Sequence, residues 1–488
     1  MTAYDRLMAY QRQTEAFAKV ATRLGWDQET VMPDAAISER SEEMAAMEQL
    51  LHSRRTSNEL GDLLSAAAGS GETPVQQRMI DLITKDYERT LKVPEDLAVA
   101  LAKTTSKAHR DWIKCRANND FQAFGPVLSE VVHLRQQEGQ ALSDGTEMSA
   151  YDALLQDYEP GNSTAAISEM FDALRGPLVD LRSDVLSRPA APEIKGHFPK
   201  DKQLELGQFI AETFGYDMSR GRIDLAVHPF CSGNGADVRV TTRVDETEPL
   251  GCIYSVIHEV GHASYEQNIH DDFAFTPAGH GCSMGIHESQ SRIYENQLGR
   301  SRAFTGWLFG QLKDRFGDIG VQTEEEFYAA VNAVRNGYIR TESDELQYNL
   351  HVMMRFDLER DLMLGDLAVP DLEGAWNDRF SADFGFEVDC AANGVLQDVH
   401  WSEGLFGYFP TYSLGNVYAG CLYEALQKAV PNLEDNLAQG DTKAATDWLC
   451  QNLQVHGASK PADVLMIQAT GQAPSVQPFI TYIRSKFA

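Results

Sequence analysis

Apolar positions recur at helical spacing along most of this chain. Tyr4, Leu7 and Met8, then Phe17, Val20 and Leu24, mark one face of a first helix. Ser41-Glu42-Glu43-Met44 reads as the start of another, with a capping serine and first-turn acids ahead of Met47, Leu50 and Leu51. Turn chemistry interrupts the run at Gly69–Pro74, and further breaks are expected near Pro94, Gly125-Pro126, Pro160-Gly161 and Arg188–Pro192. The texture changes between residues 222 and 246. There Asp237, Arg239 and Thr241 alternate with Val238 and Val240 just after the turn-forming Ser232–Gly235, which predicts a small strand or hairpin with a polar face. Helical spacing resumes at about 250 and continues to the end, apart from a glycine- and aromatic-rich stretch at 393–416 that reads as an ordered loop. The expectation is a mostly α protein with one small sheet. It is read as a single body over 1–488, in which helices 1–190 cap one wall of a deep groove and 191–488 form the chemically active region.

Composition narrows the partners. With 72 acidic against 42 basic residues the formal net charge is −30, which repels phosphate backbones and anionic lipid, so neither nucleic acid nor membrane is expected as a partner. Such a protein needs a local cationic device to bind an anionic group. Seven scattered cysteines, odd in number and without C-x-x-C, argue against a disulfide scaffold. The first twenty residues carry charges throughout, so no secretory leader is read there, and a cytoplasmic location is expected.

The chemistry concentrates at Ile257-His258-Glu259-Val260-Gly261-His262, an H-E-x-x-H. On a helix, positions i and i+4 share a face one turn apart, so both imidazoles reach one ion while the glutamate stands beside them. Pro249 marks the start of that helix, and Ile253, Val256, Ile257 and Val260 give it a buried side. A catalytic zinc takes three protein ligands and keeps a fourth position open. Tyr265 and Asn268 occupy the places where one peptidase class carries a glycine and a third histidine, so the third ligand is sought downstream. Glu288, in a second helical pattern, is the best candidate; its other use would be as a first-turn acid favoured by the helix dipole.

Several motifs together resemble the carboxypeptidase Taq family of zinc metallopeptidases. His228-Pro229-Phe230 is similar to its HPF element, Asp237–Thr241 to its DxRxT, His258–His262 to its HExxH, His287–Gln290 to its HESQ and Gly394–Trp401 to its GxxQDxHW. Ile339–Asp344 is similar to its IRxxAD, with Ser343 in place of alanine. The resemblance implies a largely helical, gluzincin-like fold with a long groove, a homodimer, and stepwise removal of C-terminal residues with broad side-chain tolerance, proline being disfavoured.

From the residues and the resemblance, His258, His262 and Glu288 are expected to hold Zn2+, one per subunit, with Co2+ a possible substitute. Glu259 is the general base. His400 and a tyrosine, Tyr412 in preference to Tyr408, are the expected oxyanion donors. A carboxypeptidase must also grip a free carboxylate, for which a planar guanidinium is suited. Arg340 is the first choice and Arg239 the second, with Arg340–Asp344 pairing at i,i+4 the alternative use of the former. His228 is taken as a further substrate contact. Asp344 and Glu295 both remain open as partners for a ligand imidazole, and the strand around Arg239 is a possible edge for an extended peptide. An oligopeptidase cutting internal bonds, and a metal-binding relative without activity, are the competing readings.

Overall fold

The computed structural model describes residues 1–487, of a chain that is 69% helical with one three-stranded sheet. The mostly α expectation with a small sheet is met. The chain forms two compact units, each built from three stretches: 1–90, 191–331 and 418–474 in the first, 91–190, 332–417 and 475–488 in the second. The helices before residue 190 are therefore divided between the units.

In the first unit, Ala3–Thr30 packs on Ile37–Arg55 and Asn58–Ala67. Leu7, Leu60, Leu64, Ala67, Ile80 and Ile83 close a core beneath them, and each leucine or isoleucine taken out of water contributes ~1.5–3 kcal/mol. The second of these helices starts at Ile37 rather than at Ser41, whose hydroxyl donates to the Ile37 carbonyl inside the helix. Strands β1 (Gly221–Leu225), β2 (Cys231–Asn234) and β3 (Asp237–Thr242) form a sheet in the order β1-β3-β2, parallel between β1 and β3 and antiparallel in the β2–β3 hairpin. The period-two pattern identified β3. β1 escaped notice because its five residues, Gly-Arg-Ile-Asp-Leu, offer only two apolar side chains. Arg239 thus stands on the central strand, and the free edges belong to β1 and β2. Thr241 is fully buried, so the polar face narrows to Asp237 and Arg239.

Val238 and Val240 are buried on the side of β3 that meets helix Pro249–Asn268, and Thr242 Oγ1 and Ser255 Oγ, 2.7 Å apart, tie strand to helix. Pro249 fills the first helical position, where no N–H is needed, and the Glu248 carboxylate accepts the amides of Leu250 and Gly251.

The second unit gathers Glu95–Ala117, Phe121–Ser143, Thr164–Leu186, Glu345–Leu364, Leu372–Phe384 and Val476–Phe487. The expected break at Gly125-Pro126 falls inside Phe121–Ser143, because a proline in the second turn forfeits only one helical hydrogen bond and packing carries the helix through. Tyr151, Phe171 and Phe356 meet edge to face in this core. The 393–416 stretch is a run of turns up to Phe409, where helix Pro410–Ala429 begins.

Candidate metal centre

The first unit builds a three-ligand cluster. His258 and His262, one turn apart on Pro249–Asn268, and Glu288, on Met284–Arg292, present ligand atoms that all lie within 4.8 Å of one another. The two helices come that close because of Gly261. A Cβ there would stand 2.5 Å from Ser291 Cα and 2.6 Å from the Gln290 carbonyl oxygen, so only glycine permits the approach. Ser283 caps the second helix by accepting the Ile286 amide. Glu288 falls in that helix's second turn and faces His262 Nε2 at 3.5 Å, which is ligand geometry rather than the service of a first-turn acid.

Each imidazole has its other nitrogen engaged. His258 Nδ1 lies 2.9 Å from Glu295 Oε2. His262 Nδ1 lies 2.6 Å from His287 Nδ1, and His287 Nε2 lies 3.0 Å from Glu266 Oε1. One assignment of protons satisfies the whole set: His258 Nδ1–H donates to Glu295, His262 Nδ1–H to His287, and His287 Nε2–H to Glu266. Both Nε2 atoms are then left with lone pairs for an ion, as outer partners of metal histidines commonly arrange.

Of the two carboxylates the sequence left open, Glu295 is the partner of His258, whereas Asp344 caps helix Glu345–Leu364 by accepting the amides of Leu346 and Gln347. Glu295 sits in a π-helical segment, Ile293–Gly299, that continues the Glu288 helix, and it also receives Arg300 Nη2 at 3.1 Å. Wider π turns of this kind recur where a helix must aim a functional side chain.

Electrostatics suit a cation. Burial acts to raise the Glu288 carboxyl, but Arg292, whose Nε donates to Oε1 at 2.6 Å, and the two histidines hold it well below the ordinary range. Burial above all lowers His262 to about 3, keeping the imidazole neutral, the form that ligates. Glu259 is only 7% exposed, and burial pushes its carboxyl up to about 7 against the pull of His258. Burial acts to lower His258 too, but Glu295 and Glu288 raise it on balance, carboxylates that favour positive charge at this point. Two imidazoles, one carboxylate and a proton-accepting carboxyl alongside are the donor set of an open divalent site. His287, Glu266 and Arg292 were not singled out by sequence reasoning as site residues. The signal was helical spacing alone: Glu266 follows His262, and Arg292 follows Glu288, by four.

The remaining expected residues divide between the units. In the first, Arg239 holds Asp237 through Nε at 2.7 Å and Nη2 at 3.0 Å and lies over the Trp26 ring, while His228 is exposed in the β1–β2 connection. In the second, Arg340, His400 and Tyr412 form one cluster. Arg340, 4% exposed, places Nε and Nη2 on Asp398 Oδ1 at 3.0 and 2.9 Å and Nη1 on the Tyr348 hydroxyl at 3.0 Å. Its carboxylate partner is thus Asp398 and not Asp344. Arg355, wholly buried, donates Nε to the other oxygen of Asp398 at 2.6 Å. His400 Nε2 lies 3.3 Å from the Tyr412 hydroxyl, and burial, then Arg340, lower its imidazole to about 3. The Tyr408 ring packs at a tilt on His400, with centroids 5.5 Å apart, and edge-on to Tyr412 at 5.3 Å.

The chain matches the family described as carboxypeptidase Taq (M32) metallopeptidase over residues 6–487. It is 36% identical to thermostable carboxypeptidase 1 of Thermus thermophilus over 501 residues, covering 100% of this chain and 98% of that protein. It is 32% identical to carboxypeptidase 1 of Bacillus subtilis over 496 residues, 99% and 97% covered. Among solved structures it is similar to the M32 carboxypeptidase of Deinococcus radiodurans, with a TM-score of 0.96, 36% identity and coverage of 99% and 98%. It is likewise similar to metallocarboxypeptidase 1 of Trypanosoma cruzi, with a TM-score of 0.97, 32% identity and 99% of each chain covered.

Proposed function

The chain belongs to the carboxypeptidase Taq (M32) metallopeptidase family, a family of peptide-bond hydrolases, and on that premise we propose that it releases amino acids one at a time from the C-terminus of peptides with zinc at His258, His262 and Glu288. The observation that carries this reading is the cluster itself: three converging ligands, with the buried Glu259 between the two histidines. Held there, zinc supplies Lewis acidity at the scissile carbonyl and lowers the pKa of water to about 7. Glu259 accepts the proton of the attacking water and returns it to the leaving amine nitrogen. A carboxyl raised by burial suits both duties, because it takes a proton readily near neutrality and gives it up again. Glu295 and the His287–Glu266 pair hold the two imidazoles in the tautomer that faces the ion.

To the second unit's cluster the same reading gives substrate roles. His400 and Tyr412 donate to the developing oxyanion, a duty worth ~2.7–4 kcal/mol for one donor. Arg340 grips the terminal carboxylate, and its orientation is fixed in advance by Asp398 and Tyr348. Arg239 and His228, on and beside the sheet that packs on the metal helix, are assigned to substrate contacts. Broad tolerance of the released side chain with proline disfavoured, Co2+ as a substitute ion, a cytoplasmic location and a homodimer complete the proposal. Among the described residues no helix is long and apolar enough to cross a membrane.

The test is to incubate an N-blocked peptide with the purified protein, with and without chelator, and follow product masses. A ladder of single C-terminal losses, stopped by chelator and restored by zinc or cobalt, is expected. Internal cuts would replace the exopeptidase reading by an oligopeptidase, and no cleavage with metal bound would leave a metal-binding relative.

A further inference from the structure

A concavity lies in the first unit, its Glu266 wall one helical turn beyond His262. It has a volume of about 130 Å³ and is lined by Lys19, Arg23 and Trp26 of the first helix, by Ser232–Asn234 of β2 and by Glu266 of the metal helix, with Asp237 and Arg239 on its β3 side. In a chain of net charge −30 this lining is an exception, because it brings Lys19, Arg23 and Arg239, with His280 (itself paired to Glu15), together against two carboxylates. One carboxylate is engaged on both sides and the other through one oxygen only, the buried Glu266 Oε2 having no hydrogen-bond partner among the described residues. Asp237 is held by Arg239 from one side and by Arg23 Nε at 3.0 Å from the other. Glu266 Oε1 takes His287 Nε2 and the Gly281 amide.

Lys19 is different. Its ammonium donates to the Asn234 carbonyl at 3.0 Å and lies over the Phe275 ring, but no carboxylate stands within ion-pair distance of it among the described residues. A half-buried ammonium beside an arginine, with Glu266, Glu15 and Asp237 near enough to act on it but none in contact, has room for a direct carboxylate partner. Burial first, and Arg23 second, lower the Lys19 ammonium, while Glu266, Glu15 and Asp237 act to raise it.

The cavity's place relative to the chemistry is fixed by the metal helix. Glu266 is seven residues from Glu259, which on a helix is the same face about 10 Å along the axis. An extended peptide covers that distance in roughly three residues at ~3.3 Å each. Edge strand β2 runs between the two points: Cys231 at its start feels both Glu259 and Glu266, and its far end lines the cavity. A carboxypeptidase has one residue on the C-terminal side of the bond it cuts. A subsite three residues away is therefore reached only by the N-terminal side of the substrate.

We infer that this cavity is an upstream subsite which takes the carboxylate side chain of an Asp or Glu about three residues N-terminal to the scissile bond, with Lys19 as its principal charge partner and Arg23 and Arg239 as the flanking field. The inference rests on the exopeptidase reading above. It predicts that the enzyme, tolerant at the residue it releases, discriminates by charge farther back along the peptide.

The experiment uses the zinc-loaded full chain and N-blocked peptides identical except for Glu, Gln or Lys at the second, third or fourth residue upstream of the scissile bond. At low salt kcat/KM for Glu should exceed that for Gln by about fivefold at one of these positions, with Lys the poorest, and the spread should shrink as salt rises. Lys19→Gln should bring the Glu-to-Gln ratio near one, and Lys19→Glu should invert the order so that the Lys peptide leads. Equal rates for Glu, Gln and Lys at all three positions in the wild type would overturn the inference, and so would a preference that both variants leave unchanged. Should the variants fail to fold, the wild-type series and its salt dependence decide alone. Single-residue release without charge preference sinks this inference and spares the exopeptidase reading, whereas release from none of the peptides sinks both.

Discussion

The Nδ1 of His258 lies 2.9 Å from Oε2 of Glu295, thirty-seven residues later in the chain and on the π-helical continuation of the helix that carries Glu288. One helical rod therefore supplies both a candidate metal ligand and the group that orients a second. Burial acts to raise Glu295, but His258, Arg300 and Arg292 hold it below the ordinary carboxyl range, so it stays a charged acceptor. Glu295→Gln removes the charge and lets an amide N–H face the imidazole, so the wrong tautomer is no longer penalised. Metal affinity should fall by ~10–100-fold while the fold persists, read by competition of the apo-protein against a chromophoric chelator. Unchanged affinity would show that Glu295 serves its two arginines rather than His258.

Gly261 governs the spacing of the same two helices. In open helical positions glycine to alanine stabilises by ~0.5–1 kcal/mol. At Gly310, where an added Cβ meets nothing within 4 Å, that gain is expected. At Gly261 the Cβ would press on the backbone of Ser291 and Gln290 at 2.5 and 2.6 Å, and the helices must part. Gly261→Ala should therefore cost ~1–3 kcal/mol of stability and weaken metal binding together, because Glu288 is carried away from His262. Thermal melts with and without zinc distinguish the cases: Gly310→Ala rises in both, while Gly261→Ala falls and loses most of the zinc-induced gain.

What could be read from the chain, and what could not, follows from range. The candidate ligand cluster was legible because His258 and His262 are one turn apart and because HESQ is a compact motif. Helix against strand was legible from the 3.6 and 2.0 periods, which found β3 and missed β1, too short and too polar to declare itself. Gly261 gave no sign of its purpose, since a helical glycine reads as a weakness until the second helix is in place. The partners of the charged residues were illegible for the same reason. Arg340 had a carboxylate at i,i+4 in Asp344, yet its partner is Asp398, fifty-eight residues distant, and Asp344 is spent on a helix cap. Local spacing proposes ion pairs, and the fold chooses among the more distant ones.

A buried carboxyl in the second unit gives a pH signature. Glu359 is fully enclosed and accepts Tyr151 Oη at 2.5 Å, the Gly407 amide at 3.1 Å and Trp401 Nε1 at 3.3 Å. Burial outweighs these donors and pushes its pKa up to about 8 from 4.5. Between those values the folded protein keeps a proton that the unfolded chain releases. Glu359's contribution to stability is thus whole below about pH 4.5 and is lost as pH rises through about 8. Glu359→Gln cannot titrate. Its melting temperature relative to wild type should therefore climb between pH 5 and pH 9, by an amount equivalent to on the order of a few kcal/mol, whatever constant offset the amide introduces. A difference that stays flat over this range would mean that the carboxylate is ionised in the folded state throughout.

Asp398 tests how the second cluster is held. It sits between two guanidiniums, with Arg340 on Oδ1 and Arg355 on Oδ2, and their charges keep it well below the ordinary range although burial acts to raise it. Burial lowers Arg355 to about 10, so that side chain depends on Asp398 for its charge to be tolerated. Asp398→Asn leaves two buried cations facing a neutral amide and should destabilise by ~3–5 kcal/mol in chemical denaturation. If the loss comes from the stranded charge and not from the missing hydrogen bonds, then adding Arg355→Met should restore part of it, because methionine fills the volume without a charge to satisfy. The double variant would then be more stable than Asp398→Asn alone and would still bind zinc, since its substitutions lie outside the ligand set. Additive losses in the pair would instead assign the cost to hydrogen bonding and packing around Trp376, over whose ring Arg355 lies at 4.6 Å.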